Sequence, residues 1–286
     1  MTQRTVFVNG DYVDERKATV SVFDRGFLFA DGVYEVCSVL DGRLIDFEAH
    51  VRRLRRSAGE LEIAVPWSDD ALLEIHRELL RRNELKEGMV YLQLTRGSSG
   101  DRDFHYPEAV TPTLVLFTQA KSLVDAASGR RGIRVVTQPD WRWARRDIKT
   151  VQLLYPAMAK MAARNAGVDD AWMVEDGFVT EGASNNAWIL TTEGRLVTRE
   201  LSHDILPGIT RAVVCELAET LDLVVEERAF TVEEAQSAAE CFVTSASSFV
   251  TPVIELDGVA IADGYPGEVV RRLRERYIEE SRRRAL

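Results

Sequence analysis

The chain contains 286 residues, of which 45% are hydrophobic and 29% are charged, and its formal net charge is -10. This composition is typical of a folded protein, and the length favours two domains, because single cores stop growing at roughly 250 to 300 residues. The negative charge argues against a nucleic-acid partner, since phosphate binding requires a basic surface.

Three cysteines, Cys37, Cys215 and Cys241, lie in apolar segments and show no CxxC spacing. Their odd number and apolar surroundings are typical of reduced thiols that pack as small hydrophobic groups. The N-terminal segment lacks an apolar signal core, and no apolar run approaches the roughly twenty residues that span a bilayer. We therefore expect a cytoplasmic protein without a membrane partner.

The first 120 residues predict an N-terminal α/β domain. Asn-Gly and Asp-Gly turns between apolar runs indicate hairpins, and apolar residues three and four positions apart indicate helices. The predicted elements are strands 6–8, 12–13, 33–40 and 43–47, helices 48–61 and 69–83, and strands 89–95 and 113–118. The polar, glycine-rich loop 96–107 lies between the last two strands, and such a loop is a typical place for ligand contacts.

Residues 121–132 are polar, small and basic, and we interpret them as an interdomain linker before a C-terminal domain of residues 133–286. The pattern there predicts strand 133–136, helix 155–165, a meander of strands 171–174, 178–180, 186–190 and 195–198, helix 210–221, a short helix from 231 or 233, strand 241–244 and helix 268–284. Both halves combine helices with strands, which predicts an α+β protein of two domains.

Lys149 is one of only five lysines in a chain that takes most of its positive charge from arginine. A deprotonated lysine forms an imine with an aldehyde, which arginine does not do. Glu181 follows later, in the segment Val-Thr-Glu-Gly-Ala-Ser-Asn-Asn. An amine for the aldehyde and a carboxylate for the ring nitrogen are the minimum set for pyridoxal phosphate. The pair therefore indicates this cofactor.

The cofactor's phosphate needs amide donors at a helix start and a cation. Residues 208–210 open a predicted helix, where exposed N–H groups and the helix dipole favour an anion. Arg53 is a candidate cation, and Ser245 is a candidate hydroxyl donor after a strand. Taken singly, each of these residues also fits an ordinary structural role in a turn, a loop or a solvated helix face.

Three segments of the chain resemble the signature of the class IV, or fold type IV, pyridoxal-phosphate aminotransferases. They are residues 181–188, 196–198 and 206–211, with Trp188 where the family usually has Phe or Tyr. Further segments extend the resemblance over nearly the whole chain, and it is closest to the D-amino-acid (D-alanine) aminotransferases: 24–27, 31–36, 50–54, 91–97, 147–149, 242–245 and 251–254. The resemblance implies the α+β fold type IV, with mixed sheets in a small N-terminal and a larger C-terminal, cofactor-binding domain.

The resemblance also implies a role for single residues. Lys149 would form the Schiff base and shuttle protons, Glu181 would pair with the ring nitrogen, and Leu206 would pack on the ring. The phosphate would be held by Arg53, Ile209 and Thr210, with Ser245 nearby. Ala246 stands where the D-alanine enzymes usually carry a hydroxyl residue, which removes one contact of the cofactor or substrate.

Four residues would contact the substrate by the same resemblance. Tyr34 would line the pocket, and Arg102 would take part in the carboxylate trap that D-specific members build from an Arg-x-His pair on a loop of the partner subunit. His105 completes Arg-Asp-Phe-His here, which is one residue longer than that pattern. Arg142 aligns with a pocket arginine, although neighbouring arginines leave that assignment open.

The implied activity is transamination between D-amino acids, of the D-alanine and D-glutamate type, and 2-oxo acids such as 2-oxoglutarate or pyruvate. The implied assembly is a homodimer with the active site at the domain and subunit interface. Alternatives with the same fold are branched-chain L-amino-acid aminotransferase, (R)-amine transaminase and aminodeoxychorismate lyase, and a binding protein that retained the scaffold is a further one. The chain contains no GxGxxG after a strand, no GxxxxGK[ST], no HExxH and no GxSxG motif, so other enzyme classes lack support.

Overall fold

The computed structural model describes residues 4–286, which divide into two compact units. The first unit contains the chain up to Ser122 together with Ile148–Gln152 and Arg284–Leu286, and the second contains Leu123–Asp147 and Leu153–Arg283. This division differs from the predicted boundaries at residues 148–152 and 284–286, which belong with the first unit. The predicted linker 121–132 contains a short helix.

The first unit has a six-stranded sheet in which all pairs are antiparallel, in the order β2-β1-β6-β5-β3-β4. Its elements are β1 (Thr5–Val8), β2 (Asp11–Asp14), α1 (Arg25–Phe29), β3 (Gly32–Leu40), β4 (Arg43–Leu44), α2 (Phe47–Glu60), α3 (Asp69–Arg82), β5 (Gly88–Thr95) and β6 (Thr113–Ala120). The sequence pattern predicted each of these except α1, with small differences at the ends.

Local side chains explain several of these boundaries. Asn9 and Gly10 both have positive φ, 51° and 112°, which is the backbone that a tight turn between β1 and β2 requires. Ser68 caps α3, because its hydroxyl accepts a hydrogen bond from the backbone N–H of Ala71 at 3.2 Å. Asp46 has a φ of 54°, so the chain leaves the sheet there and β4 is shorter than predicted.

The second unit has a mixed nine-stranded sheet in the order β12-β11-β10-β13-β14-β7-β8-β9, with β15 paired to β14. Its elements are α4 (Ala127–Arg131), β7 (Ile133–Pro139), α5 (Leu154–Asn165), β8 (Asp170–Glu175), β9 (Phe178–Gly182), β10 (Asn186–Leu190), β11 (Arg195–Thr198), α6 (Ile209–Thr220), β12 (Val224–Glu227), α7 (Val232–Gln236), β13 (Glu240–Ser245), β14 (Phe249–Leu256), β15 (Val259–Ala260) and α8 (Glu268–Arg284). The pairs β7–β8, β7–β14 and β11–β12 are parallel.

The predicted meander of β8 to β11 is wrong as a topology, although each strand exists. β9 is an edge strand beside β8, whereas β10 lies between β11 and β13 near the middle of the sheet. All five residues of β10 are buried, and a strand covered on both faces suits an interior position. The turn 183–185 therefore joins two parts of the sheet, with Glu181 before it and Asn186 after it.

Strand β14 was not predicted because Pro252 interrupts its apolar run. A proline has no N–H for the ladder and usually indicates an edge strand, yet β14 lies between β13 and β7. The register between β14 and β7 shifts between Val253 and Glu255, just after this proline. Among residues 4–286, no helix is long and apolar enough to cross a membrane.

Arg274 of α8 fixes several backbone segments of the second unit. Its guanidinium donates to the carbonyl oxygens of Ser248 and Val250 at 2.9 and 2.8 Å and to those of Leu123 and Val124 at 2.6 and 3.0 Å. A Cβ on Gly129 would lie 2.5 Å from the Cζ of Arg274, so α4 needs glycine at this position.

We expect Arg274→Met to lower the free energy of unfolding by about 3 kcal/mol or more, because it removes the donors of four carbonyl groups. Urea denaturation followed by circular dichroism measures this change. Arg272→Met, on the exposed side of the same helix, is the control. Equal stability of the two variants would contradict the role assigned to Arg274.

Candidate active site

Lys149 is held through its backbone against β3 and α2 of the first unit. The N–H of Tyr34 donates to the carbonyl oxygen of Lys149 at 3.0 Å, and the N–H of Val151 donates to that of Gly32 at 3.1 Å. The N–H of Lys149 donates to the hydroxyl of Ser57 on α2 at 3.2 Å. These bonds explain why the segment 148–152 belongs to the first unit.

The amine of Lys149 lies over an aromatic column. Its Nζ is 4.1 Å from the ring centroid of Tyr34, which stacks on Tyr91 at 5.6 Å, and Tyr91 stacks on Phe117 at 4.8 Å. Burial raises the pKa of Tyr91, whose hydroxyl donates to the side-chain oxygen of Gln93 at 2.8 Å. The structure thus brings the predicted residues Lys149 and Tyr34 into contact on a rigid surface.

Arg53 lies on α2, one turn before Ser57, and is buried. Its Nε and Nη2 donate to the two carboxylate oxygens of Glu35, each at 2.8 Å, and His50 Nδ1 is 2.7 Å from Glu35 Oε2. Burial alone would raise the pKa of Glu35, but the contacts with Arg53 and His50 hold it well below its usual range. Glu35 was not predicted as a site residue; the spacing of His50 and Arg53 on one helix face is the signal that indicates a shared partner.

The loop that carries Arg102 and His105 is fixed by its backbone. Arg25 is 2% exposed and donates from Nη1 to the carbonyl oxygens of Asp103 and His105 at 2.5 and 3.2 Å. Its Nε donates to Asp31 Oδ2 at 2.7 Å, and the same carboxylate accepts a hydrogen bond from Arg96. Arg25 and Asp31 were not predicted as residues that fix this loop, because a sequence does not tell which of many arginines is buried.

The side chains of Arg102 and His105 are exposed. The His105 side chain is 93% exposed, and its Nδ1 is 3.0 Å from Asp103 Oδ1. The Arg102 guanidinium lies 5.1 Å from the Phe29 ring centroid and 4.8 Å from that of Phe104, which is itself exposed. Both predicted substrate residues therefore sit on an exposed, aromatic tip of the loop.

Glu181 is a buried carboxylate at the end of β9 in the second unit. Among residues 4–286, its hydrogen bonds come from Arg142 Nη1 to Oε1 at 2.5 Å and from Asn186 Nδ2 and the Leu206 N–H to Oε2, at 3.0 and 3.1 Å. Burial raises the pKa of Glu181, and the contacts with Arg142 and the Leu206 N–H oppose this rise.

Arg142, which was predicted to contact the substrate, lies between two carboxylates. Its Nε and Nη2 donate to Asp140 at 2.8 and 2.6 Å, and its Nη1 donates to Glu181. The physical reason is that two buried carboxylates flank it, and a planar guanidinium matches carboxylate geometry. Arg142 is thus a neighbour of Glu181 in this structure.

The predicted residue Leu206 is joined to Glu181 both directly and through Asn186, and the predicted residues Ile209 and Thr210 follow it in the chain. Asn186 Nδ2 also donates to the carbonyl oxygen of Leu206 at 2.9 Å, so the backbone of Leu206 is fixed on both sides. A Cβ on Gly208 would lie 2.0 Å from Asn186 Oδ1, which explains the glycine before α6. Ile209 and Thr210 form the first turn of α6, whose N–H groups favour an anion.

Ser245 and Ala246 lie at the turn between β13 and β14. The Ser245 hydroxyl is 2.8 Å from that of Ser248 and 3.4 Å from that of Ser247, and Ala246 contributes no hydroxyl. Thr244 of β13 pairs in register with Asn186 of β10, whose side chain donates to Glu181. Ser245 follows Thr244 directly. Trp188, the departure from the family pattern, is fully buried and donates from Nε1 to the Thr244 hydroxyl at 3.0 Å.

The model of the family Amino-transferase class IV matches residues 32–256. The chain belongs to the class IV aminotransferases. D-alanine aminotransferase of Staphylococcus haemolyticus is 38% identical over 96% of this chain and 98% of its own length. That of Bacillus licheniformis is 36% identical over 93% of each chain.

Solved structures of branched-chain amino-acid aminotransferases share the fold. The enzyme of Escherichia coli has a TM-score of 0.91 at 23% identity and covers 98% of this chain and 95% of its own. The T.th. enzyme with pyridoxamine 5'-phosphate has a TM-score of 0.90 at 26% identity, with 99% and 96% covered. The prediction of a fold type IV, pyridoxal-phosphate-dependent aminotransferase is thereby confirmed.

The residues of the second unit fit this cofactor's ring nitrogen. A carboxylate has about four acceptor positions. Among the described residues 4–286, hydrogen bonds occupy three of these positions on Glu181. One position therefore remains for a protonated nitrogen, and burial of the carboxylate favours the arrival of a positive charge.

We expect Glu35→Gln to destabilise the protein at neutral pH, by about 3 kcal/mol, because it leaves the buried Arg53 without its carboxylate. The folded pKa of Glu35 is lowered, so its stabilisation is complete above the unfolded pKa of about 4.3 and disappears as pH falls towards the folded value. Urea unfolding at several pH values measures this effect. The free energy of unfolding should fall less on acidification in Glu35→Gln than in the wild type. Glu48→Gln, at an exposed position of α2, is the control; an unchanged acid slope in Glu35→Gln would contradict the assignment.

Proposed function

We propose that this protein transfers the amino group of D-amino acids, of the D-alanine and D-glutamate type, to 2-oxo acids such as 2-oxoglutarate or pyruvate. The observation that carries the proposal is the 36–38% identity to D-alanine aminotransferases over nearly the whole length of both chains. Lys149 and Glu181 supply the amine and the buried carboxylate that pyridoxal-phosphate chemistry requires.

Pyridoxal 5'-phosphate supplies, when bound, an aldehyde that condenses with amines and a ring that takes up electrons. Glu181 would hold the ring nitrogen, and Leu206, fixed by Glu181 and Asn186, would pack on the ring. For the phosphate we assign Arg53 as the cation, with Ile209 and Thr210 at the N-terminus of α6 as amide donors. Ser245 would add a hydroxyl, which Ala246 lacks.

Lys149 would act as the base of the reaction. Its Nζ would move the proton from the substrate Cα to the cofactor carbon that receives the amino group, and it would move a proton in the opposite direction in the reverse half of the cycle. The backbone bonds from Tyr34 and to Ser57 hold the residue in place, and the Tyr34 ring limits where the amine moves. A fixed base reacts faster because its orientation is set before the substrate binds.

Substrate binding would involve Tyr34 beside the amine and the loop of Arg102 and His105. The exposed guanidinium of Arg102 is the stronger carboxylate ligand of the two, since it stays charged at all relevant pH values. His105 would lie next to it through the backbone that Arg25 fixes. Because the chain has Arg-Asp-Phe-His instead of Arg-x-His, this loop is the place where its substrate preference would differ from the D-alanine enzymes.

The second candidate is a branched-chain L-amino-acid aminotransferase, because solved structures of such enzymes share the fold at 23–26% identity. The higher identity to D-alanine aminotransferases favours the first candidate.

We expect the purified holoenzyme, with 2-oxoglutarate as the acceptor, to convert D-alanine to pyruvate at least ten times faster than it converts L-alanine, L-leucine or L-valine to the corresponding 2-oxo acids. Chromatographic quantification of the oxo acids and of L- and D-glutamate measures each reaction. Turnover of L-leucine or L-valine alone would establish the second candidate, and no turnover of any amino acid would overturn both.

The same assay tests the base. Lys149→Ala should lower the rate by about a thousandfold or more, since general acid–base and nucleophilic roles are lost together. Lys17→Ala removes an exposed lysine of the same unit and serves as the control. A rate of Lys149→Ala equal to that of the control would remove the amine from the mechanism.

We also propose a homodimer in which the loop of one subunit reaches the site of the other. Helix α5 supports this assembly, because Leu154, Met158 and Met161 are 77, 54 and 49% exposed and lie on one helix face. Exposed apolar rows of this kind mark interaction sites. Phe104 at the loop tip, 72% exposed, is a second such contact.

Sedimentation velocity is expected to show a dimer for the wild type and a shift towards monomer for Met158→Glu. A charge buried in an apolar interface carries a large desolvation cost, which explains the expected shift. Tyr265→Glu changes a large hydrophobic residue outside α5 that is more exposed, at 74%, and this variant should stay dimeric. A monomeric wild type, or a fully dimeric Met158→Glu, would rule out this interface.

A further inference from the structure

A chain of alternating charges leads from the surface of the second unit to Glu181. Glu175 accepts from Nη1 and Nη2 of Arg146, each at 2.7 Å, and Arg146 Nη1 is 3.6 Å from Asp140 Oδ2. Asp140 then accepts two hydrogen bonds from Arg142, which donates to Glu181. Three carboxylates and two guanidiniums thus stand in one row.

The row is buried at the Glu181 end and open at the other. The Asp140 side chain is 0% exposed, those of Arg142 and Glu181 are 12 and 5% exposed, and that of Glu175 is 40% exposed. Burial opposes ionisation of Asp140 and Arg142. Their mutual hydrogen bonds nevertheless lower the pKa of Asp140 and raise that of Arg142.

The charges of the row leave one negative charge without a positive partner. Glu175 accepts two hydrogen bonds from Arg146 and is partly exposed to solvent. The excess negative charge therefore lies towards the buried end of the row. Glu181 is the last carboxylate there, and burial raises its pKa in spite of Arg142. A protonated ring nitrogen beside Glu181 would supply the missing positive charge.

Both oxygens of the Glu181 carboxylate are fixed from different sides. Arg142 binds Oε1, whereas Asn186 and the Leu206 N–H bind Oε2. Arg142 in turn is held by Asp140, whose Oδ2 also accepts a hydrogen bond from the hydroxyl of Thr180 at 2.7 Å. Loss of Arg142 would free one oxygen of Glu181 and remove the nearest positive charge.

We propose that Arg142, held by Asp140, is a positioning residue that keeps Glu181 ionised and aimed, so that the site selects a cofactor ring with a protonated nitrogen. This inference rests on the proposed function, which places Glu181 at the ring nitrogen. The role differs from the substrate contact that sequence analysis assigned to Arg142. All three nitrogens of its guanidinium already face carboxylates within the second unit.

The test compares two ligands that differ only at the ring nitrogen. Pyridoxamine 5'-phosphate and its 1-deaza analogue, in which C–H replaces the nitrogen, bind without a covalent bond to Lys149. Titration calorimetry on the apoprotein gives the ratio of the two dissociation constants, which is the preference for a ring nitrogen. Far-ultraviolet circular dichroism and urea unfolding establish that each variant is folded.

Arg142→Gln should reduce this preference about tenfold, since a charge-assisted hydrogen bond becomes a neutral one. Glu181→Gln should reduce it to a similar degree, and adding Arg142→Gln to Glu181→Gln should change it no further. Arg131→Gln breaks a surface arginine–carboxylate pair with Asp169 and should leave the preference intact. If Arg142→Gln does not fold, Arg142→Lys, which keeps the charge but loses the two-oxygen geometry, should still reduce the preference at least threefold.

The outcomes separate the two proposals. An unchanged preference in Glu181→Gln would remove Glu181 from the ring nitrogen and overturn the proposed assignment of the site. A reduced preference in Glu181→Gln with an unchanged preference in the folded Arg142 variant would overturn only the role of Arg142. If the Arg142 variant has a higher KM for the amino acid and an unchanged preference for the ring nitrogen, the role of Arg142 is to contact the substrate.

Discussion

A buried carboxylate at the end of β9 imposes the main constraint on the second unit. Burial of such a group is costly unless donors surround it, and Glu181 obtains its donors from Arg142, Asn186 and Leu206. These residues follow β7, open β10 and precede α6, so three separate connections must meet at one point. The order of strands in the large sheet, in which β9 and β10 are separated, is the arrangement that allows it.

The first unit also contains a buried carboxylate, which a different set of residues stabilises. Glu35 is buried on β3 and receives a two-bond contact from Arg53 and a third contact from His50, both on α2. The next turn of α2 carries Ser57, which binds the backbone of Lys149. One helix therefore fixes both a guanidinium and the backbone of Lys149, the residue that we propose as the base.

The sequence predicted most elements and the chemically distinctive residues, because hydrophobic periodicity and an amine–carboxylate pair are local signals. It failed where the deciding partner is distant. The contact between Arg142 and Glu181, for example, joins residues 39 positions apart, and no local pattern indicates it. β14 was not predicted, because Pro252 interrupts the apolar run of this strand, which pairs with β13 on one side and β7 on the other. The return of residues 148–152 to the first unit likewise depends on bonds to β3 that no local pattern records.

The backbone pairing of Leu44 with Leu286 affects the order of folding. Each donates its N–H to the carbonyl oxygen of the other at 2.9 Å, which places the last three residues on the first unit. During synthesis, the ribosome releases every residue of the second unit before this strand pair forms. Contacts between residues so distant in the sequence form late, because a long loop must be ordered first. The backbone contacts of Leu44 with Leu286 therefore form only after the second unit has been synthesised, although most residues of the first unit are synthesised before it.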